Sequence, residues 1–194
     1  MEKRRYSDAL EVDGLFFEIS FDGAAESGKN PEHTNVALRC FNKHGQDIWI
    51  RMFGDIPMPE GAWHGFKLIC AHKGRVFVAV SNFLIEINTE SGASISEIET
   101  GNTTICAILM IGDSQQVIVF NDYYKFRHPK DLSNIAAYNF DGGECWRAKL
   151  GDGDVFANAP SFGKDGKLFA STWNCFKCEI DKTNGKILSR EFTK

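Results

Sequence analysis

Hydrophobic and polar residues alternate through FKCEIDKTNGKILSREF (176–192), pause at a short polar stretch that ends in glycine, and then alternate again. The same outline recurs in VALRCFNKHGQDIWIRMF (36–53), FLIEINTESGASISEIE (83–99) and IAAYNFDGGECWRAKL (135–150). A period of two sorts side chains onto the two faces of a strand. The interrupting Asn, Asp, Ser and Gly supply a turn, and glycine accepts the positive φ that a tight reversal demands. Each segment therefore predicts a β-hairpin. Aligned on Gly45, Gly92, Gly142 and Gly185, the hairpins are spaced by 47, 50 and 43 residues.

Upstream of each hairpin lie further strand-like runs. They are YSDALEV and LFFEISF, joined at Asp13-Gly14; FKLICAHK and RVFVAVS, joined at Lys73-Gly74; TICAILMIG and QQVIVFN, joined near Asp113-Ser114; and NAPSFGK and KLFASTW, joined at Asp165-Gly166. No segment has a helical period, and β-branched and aromatic residues dominate. The pattern predicts four strands in each of four repeats, spanning approximately 5–53, 66–99, 104–150 and 156–192 of one domain, 1–194. Runs such as VFVAV and VIVF are apolar at every position, so both faces of these sheets are expected to be covered. A four-stranded unit repeating every 40 to 50 residues predicts an all-β, propeller-like array of about four antiparallel blades, as an open or unlatched ring or as a tight closed one. A two-sheet sandwich is the competing architecture, but it does not require a periodic turn.

The turn Asp181-Lys182-Thr183-Asn184-Gly185 resembles that of the quinoprotein-type (PQQ-like) propeller repeat, in which a Trp follows the glycine by four residues. Trp49 follows Gly45 and Trp146 follows Gly142 at that distance, whereas Ser96 and Ser189 hold the place in the other two repeats. WD-type repeats share much of this outline. The resemblance implies a propeller framework over nearly the whole chain. Propellers of that family usually have more blades and are commonly exported. No set of residues here maps onto a cofactor site, so no cofactor is carried over.

Composition narrows the partners. With 22 Lys and Arg against 26 Asp and Glu, the net charge is −4, unlike the basic footprint of a nucleic-acid binder. The longest apolar stretch, ICAILMI (105–111), is too short to span a bilayer and suits a buried strand. The basic residues of MEKRRYSDALEVDG precede no apolar run, so the expectation is a cytoplasmic protein without an export signal and without membrane partners. In that compartment the six cysteines are expected to be reduced thiols packed as small hydrophobes. Cys175 and Cys178 have metal-ligand spacing, but no second Cys or His pair lies near them in the sequence, and no metal is expected.

If the strands of a blade are lettered A to D, the A–B and C–D turns fall at one end and the B–C and D–A connections at the other. The long, irregular connections, 22–35, 54–65, 121–134 and 151–154, are all B–C or D–A. A rigid scaffold presents function through such loops. In 121–134, Tyr123, Tyr124 and Phe126 sit beside Arg127 and His128, a composition typical of binding anchors. The competing reading is that the aromatics pin the loop to the scaffold. Trp63 and His64 lie in the D–A connection 54–65, and Trp173 at a B–C turn; each tryptophan either contacts a ligand or fills space between blades. Asp152 and Asp154 form a polar turn with too few oxygen ligands for Ca²⁺. No nucleophile motif or local histidine cluster is present. The expectation is a non-catalytic module that binds another protein, such as a basic toxin domain that it would neutralise as an immunity protein, with self-association as a further option. The alternative is an enzyme or carbohydrate-binding propeller whose axial pocket gathers His64, Asp152, Asp154 and Trp173.

Overall fold

The strands begin and stop where the turn chemistry dictates. In the computed structural model, which describes residues 4–5, 9–22, 33–57, 67–101, 103–122, 133–151 and 153–193, seventeen strands form four antiparallel sheets. The first contains β1 (Arg4–Arg5), β2 (Leu10–Val12), β3 (Leu15–Asp22), β4 (His33–Asn42) and β5 (Asp47–Pro57). The second contains β6 (Ile69–His72), β7 (Arg75–Val80), β8 (Phe83–Ile87) and β9 (Ser94–Glu99). The third contains β10 (Ile105–Ile111), β11 (Gln116–Asn121), β12 (Ile135–Asn139) and β13 (Glu144–Arg147). The fourth contains β14 (Ser161–Phe162), β15 (Leu168–Ser171), β16 (Phe176–Ile180) and β17 (Ile187–Phe192). Strands within a sheet follow chain order, except that β1 and β2 both pair with β3. The fold is all-β, as the alternation predicts.

Of YSDALEV, Leu10–Val12 form β2 on the near end of β3; β1 lies just upstream and pairs with its far end, and residues 6–8 lie outside the described residues. One strand departs from the sequence reading. NAPSFGK yields only the two residues of β14. Pro160 immediately precedes them and has no N–H to extend the ladder.

The packing groups the chain into two compact units, Met1–Ile105 and Cys106–Lys194, with two sheets in each. Within each unit the C–D turns differ in kind. Those of the first and third sheets are short. The Asn42 carboxamide oxygen accepts from the backbone N–H of His44 at 2.9 Å and of Gln46 at 3.1 Å. The Asn139 oxygen accepts in the same way from Asp141 at 3.1 Å and Gly143 at 2.7 Å. The turns of the second and fourth sheets are one residue longer. Gly92 donates to the Asn88 carbonyl at 2.9 Å and Gly185 to the Asp181 carbonyl at 2.8 Å. Bonds from the Thr183 hydroxyl and backbone, with help from Asn184, hold the Asp181 carboxyl below its ordinary pKa.

The tryptophans explain the difference. The Trp49 indole N–H donates to the Thr89 carbonyl at 2.9 Å, and that of Trp146 donates to the Lys182 carbonyl at 3.1 Å. Each acceptor lies three residues before the glycine of a longer turn. A Cβ on Gly92 would stand 2.8 Å from the Trp49 ring, and one on Gly185 2.6 Å from the Trp146 ring. The short-turn sheet of each unit thus lays its indole on the bare glycine of the long-turn sheet. The buried Trp146 ring contributes roughly 2–3 kcal/mol, the half-buried Trp49 ring less, and each hydrogen bond about 1 kcal/mol. In the second unit the indole belongs to a core that includes Ile118, Phe120, Phe156, Leu168 and Cys178.

Candidate functional site

The B–C turns and D–A connections meet in each unit, which gathers them at one end of the sheets. In the first unit, Thr100 and Ile105 donate backbone bonds to Asn82 and Ser81, at 2.9 and 2.7 Å. In the second, the buried Asn134 clamps the D–A connection, since its amide donates to the Phe156 carbonyl at 2.8 Å and its oxygen accepts from the Phe156 N–H at 3.1 Å. Asn134 closes the base of the 121–134 connection, where Asn121, Asp122 and Ser133 are also buried. Tyr123, Tyr124, Phe126, Arg127 and His128 of that connection lie outside the described residues, as do Trp63, His64 and Asp152.

Asp154 and Trp173 are described, and the fold brings their segments together. The Asp154 carboxylate is buried, at 3% exposure for the residue. One oxygen accepts from the Val155 N–H at 3.0 Å and the Asn174 N–H at 3.3 Å, and the other from the Arg190 guanidinium at 2.5 Å. The Trp173 N–H donates to the Val155 carbonyl at 3.0 Å. One carboxylate therefore ties the D–A connection, the B–C turn and the outer strand β17 together. A carboxylate engaged in this way positions its neighbours. Its buried charge is offset by the guanidinium and two backbone donors, the arrangement a buried charge requires.

Exposed aromatic residues stand on the segments that this brace joins. Trp173 is 59% exposed and Phe192 61%. The Phe192 ring meets Phe176 edge-on with centroids 5.5 Å apart, and the Arg190 guanidinium lies 4.0 Å above the Phe176 ring. The sequence reading identified Trp173 and Asp154 but not Phe176, Arg190 or Phe192. A signal for them exists in the hairpin itself, because antiparallel pairing across the Gly185 turn sets Phe176 opposite Phe192 and Cys178 opposite Arg190.

All six cysteines are free. Cys178 is buried whereas Cys175 is exposed in a left-handed turn at φ 61°, so the two do not converge on one site. Burial pushes the Cys40 thiol up to about 11 and the Cys70 thiol up to about 12. Among the described residues no three of His, Cys, Asp and Glu stand close enough to share a metal ion, and no helix is long and apolar enough to cross a membrane.

Residues 102–192, which contain the third and fourth sheets, match a family described as a domain of unknown function (DUF7957). No curated protein matches the chain. Among solved structures it is similar to the quinohemoprotein alcohol dehydrogenase ADHIIG from Pseudomonas putida HK5, with a TM-score of 0.62 and 14% identity over 96% of this chain and 34% of that one. It is similar to BamB from Moraxella catarrhalis, with a TM-score of 0.54 and 11% identity over 99% and 52% of the two chains. The C-terminal WD40 domain of Sif2 gives a TM-score of 0.56 and 10% identity over 93% and 55%. The chain thus spans between 34% and 55% of the length of these three proteins. At such identities the likeness concerns fold alone, and with the four antiparallel sheets it makes this an all-β, propeller-like protein.

Proposed function

We propose that this chain is a non-catalytic protein-binding module acting through the end of its sheets where B–C turns and D–A connections gather. The observation that carries this reading is the exposure of Trp173 and Phe192 on two segments that Asp154 ties together, with Phe192 against Phe176 and Arg190 over the Phe176 ring. Tryptophan and arginine are enriched in binding hot spots, Trp because its large, stiff ring loses little entropy on contact and Arg because its planar guanidinium both stacks and donates several hydrogen bonds. The acidic balance, −4, favours a basic partner, and the narrower reading is a cytoplasmic immunity protein that neutralises a toxin. Within the propellers, the Trp–Gly docking of both units supports kinship with the quinoprotein-type repeat.

The test is capture from the native lysate on immobilised full-length protein, repeated with Trp173→Ala plus Phe192→Ala and with Tyr123, Phe126 and Arg127 all changed to Ala. A basic protein retained by the parent should bind at least about tenfold more weakly to the first variant, the loss of a single hot spot. A second effect from the loop variant would extend the surface to 121–134. Retention that ignores both sets would overturn the reading. An exposed Trp173 also suits stacking on a sugar ring, so a glycan retained in place of a protein would transfer the site to the carbohydrate-binding alternative.

A further inference from the structure

The chain contains a single Asn-Gly pair, Asn184-Gly185, in the long turn of the fourth sheet. At such a pair the backbone readily attacks the side chain before it, because glycine has no Cβ to hinder its own nitrogen. The Gly185 nitrogen gives its proton to water or hydroxide and bonds to the Asn184 Cγ. The Cγ–Nδ2 bond breaks, Nδ2 takes up a proton and leaves as ammonia, and a five-membered succinimide remains. Water then adds to one of the two ring carbonyls, and the ring opens to aspartate or isoaspartate. Water is the sole co-reactant.

Three features of the turn oppose the first step. The Gly185 N–H donates to the Asp181 carbonyl at 2.8 Å, so the proton that must leave is engaged. The Asn184 carboxamide is held at both ends, its oxygen accepting from the Lys186 N–H at 2.9 Å and its nitrogen donating to the Asp181 carboxylate at 2.9 Å. Gly185 is also buried against the Trp146 ring, although Asn184 beside it is exposed. We propose that Asn184 is a deamidation site that the docked Trp146 keeps closed. The bonds within the hairpin are exposed and yield to local opening. The indole resists that opening from the third sheet, through its contact with Gly185 and its bond to the Lys182 carbonyl.

The coupling runs in both directions. An aspartate at 184 has no N–H to offer Asp181 and sets a second negative charge beside it. An isoaspartate adds a methylene to the main chain just before Gly185, where even a Cβ would stand 2.6 Å from the ring. Either product loosens the seat of Trp146. The first unit docks Trp49 in the same way, but Ser91 precedes Gly92 there, and its turn lacks this chemistry. The Asn184 turn is at the C–D end of the fourth sheet, away from the proposed binding end.

The full chain, folded or unfolded in guanidinium chloride, is held at mildly alkaline pH. Mass spectrometry of the peptide containing Asn184 follows replacement of the carboxamide by a carboxyl. Conversion should be at least about a hundredfold slower in the folded chain, since opening must displace the indole. Trp146→Ala, its fold checked by far-UV circular dichroism, should speed folded-state conversion at least about tenfold. Trp49→Ala, which empties the matching seat in the first unit, should leave the rate unchanged. In the reverse direction, Asn184→Asp should speed hydrogen exchange at Gly185 at least about tenfold and leave Gly92 as in the parent. That variant decides the matter should Trp146→Ala misfold. Equal conversion in the folded and unfolded chains, no acceleration by Trp146→Ala, equal acceleration by Trp49→Ala, or unchanged Gly185 protection in Asn184→Asp would overturn the proposal.

Discussion

Gly45 and Gly185 have nearly the same backbone conformation, at φ 77° and 75°, yet their surroundings differ completely. A Cβ at Gly45 would meet nothing within 4 Å, whereas one at Gly185 would press into the Trp146 ring at 2.6 Å. Gly45→Ala should therefore cost only the left-handed strain, about 1–2 kcal/mol. Gly185→Ala should cost about 3 kcal/mol or more, because it also displaces a packed indole. Urea unfolding of the two variants measures the difference, and equal costs would mean that the indole has room to move. The pair also illustrates what is legible at single positions. The turn and the need for glycine follow from the local pattern, but the indole that Gly185 receives belongs to another hairpin, 36 residues away at the hydrogen-bonded carbonyl.

β17 is an edge strand whose residues after Ile187 are all exposed, so little apolar burial holds it in place. Its attachment relies on the ladder to β16, on the Phe176–Phe192 contact, and on the bond from Arg190 to the buried Asp154. Asp154→Asn keeps an oxygen for the Val155 and Asn174 amides but leaves the guanidinium unpaired, at a cost of about 1–3 kcal/mol. Asp154→Ala also strands both amides and should cost about 3–5 kcal/mol. Hydrogen exchange should localise the weakening to β17 and the 172–175 turn; uniform loss of protection would show that the brace acts on the whole unit. Hairpins and their registers were readable from alternation because adjacent strands are joined by the turns that set them. Asp154 looked like one member of a polar turn, since its guanidinium partner lies 36 residues further along the chain.

Each pair of sheets is a self-sufficient arrangement: one supplies a short turn and an indole, the other a long turn and a bare glycine. The second pair coincides with the residues that match DUF7957. Residues 102–194 expressed alone should therefore fold, since Trp146 finds its acceptor and its core neighbours within them. A cooperative thermal transition with strand-type circular dichroism is the expected result. An unfolded fragment would show that the two sheets need the first half of the chain.

The four hairpins, the chemistry of their turns and the all-β class were settled by the amino-acid order alone, because alternation and glycine placement act over a few residues. The sequence also shows Trp in two repeats and Ser in the other two, but not what that difference does. A one-residue difference in turn length is faint in a list of spacings, and only packing reveals that it distinguishes the sheet that gives an indole from the sheet that takes it. The buried Asp154–Arg190 bond and the exposed aromatic residues on the segments it joins were likewise decided in three dimensions. Each depends on which faces the neighbouring sheet covers and which it leaves to water, and no local pattern of residues encodes that choice.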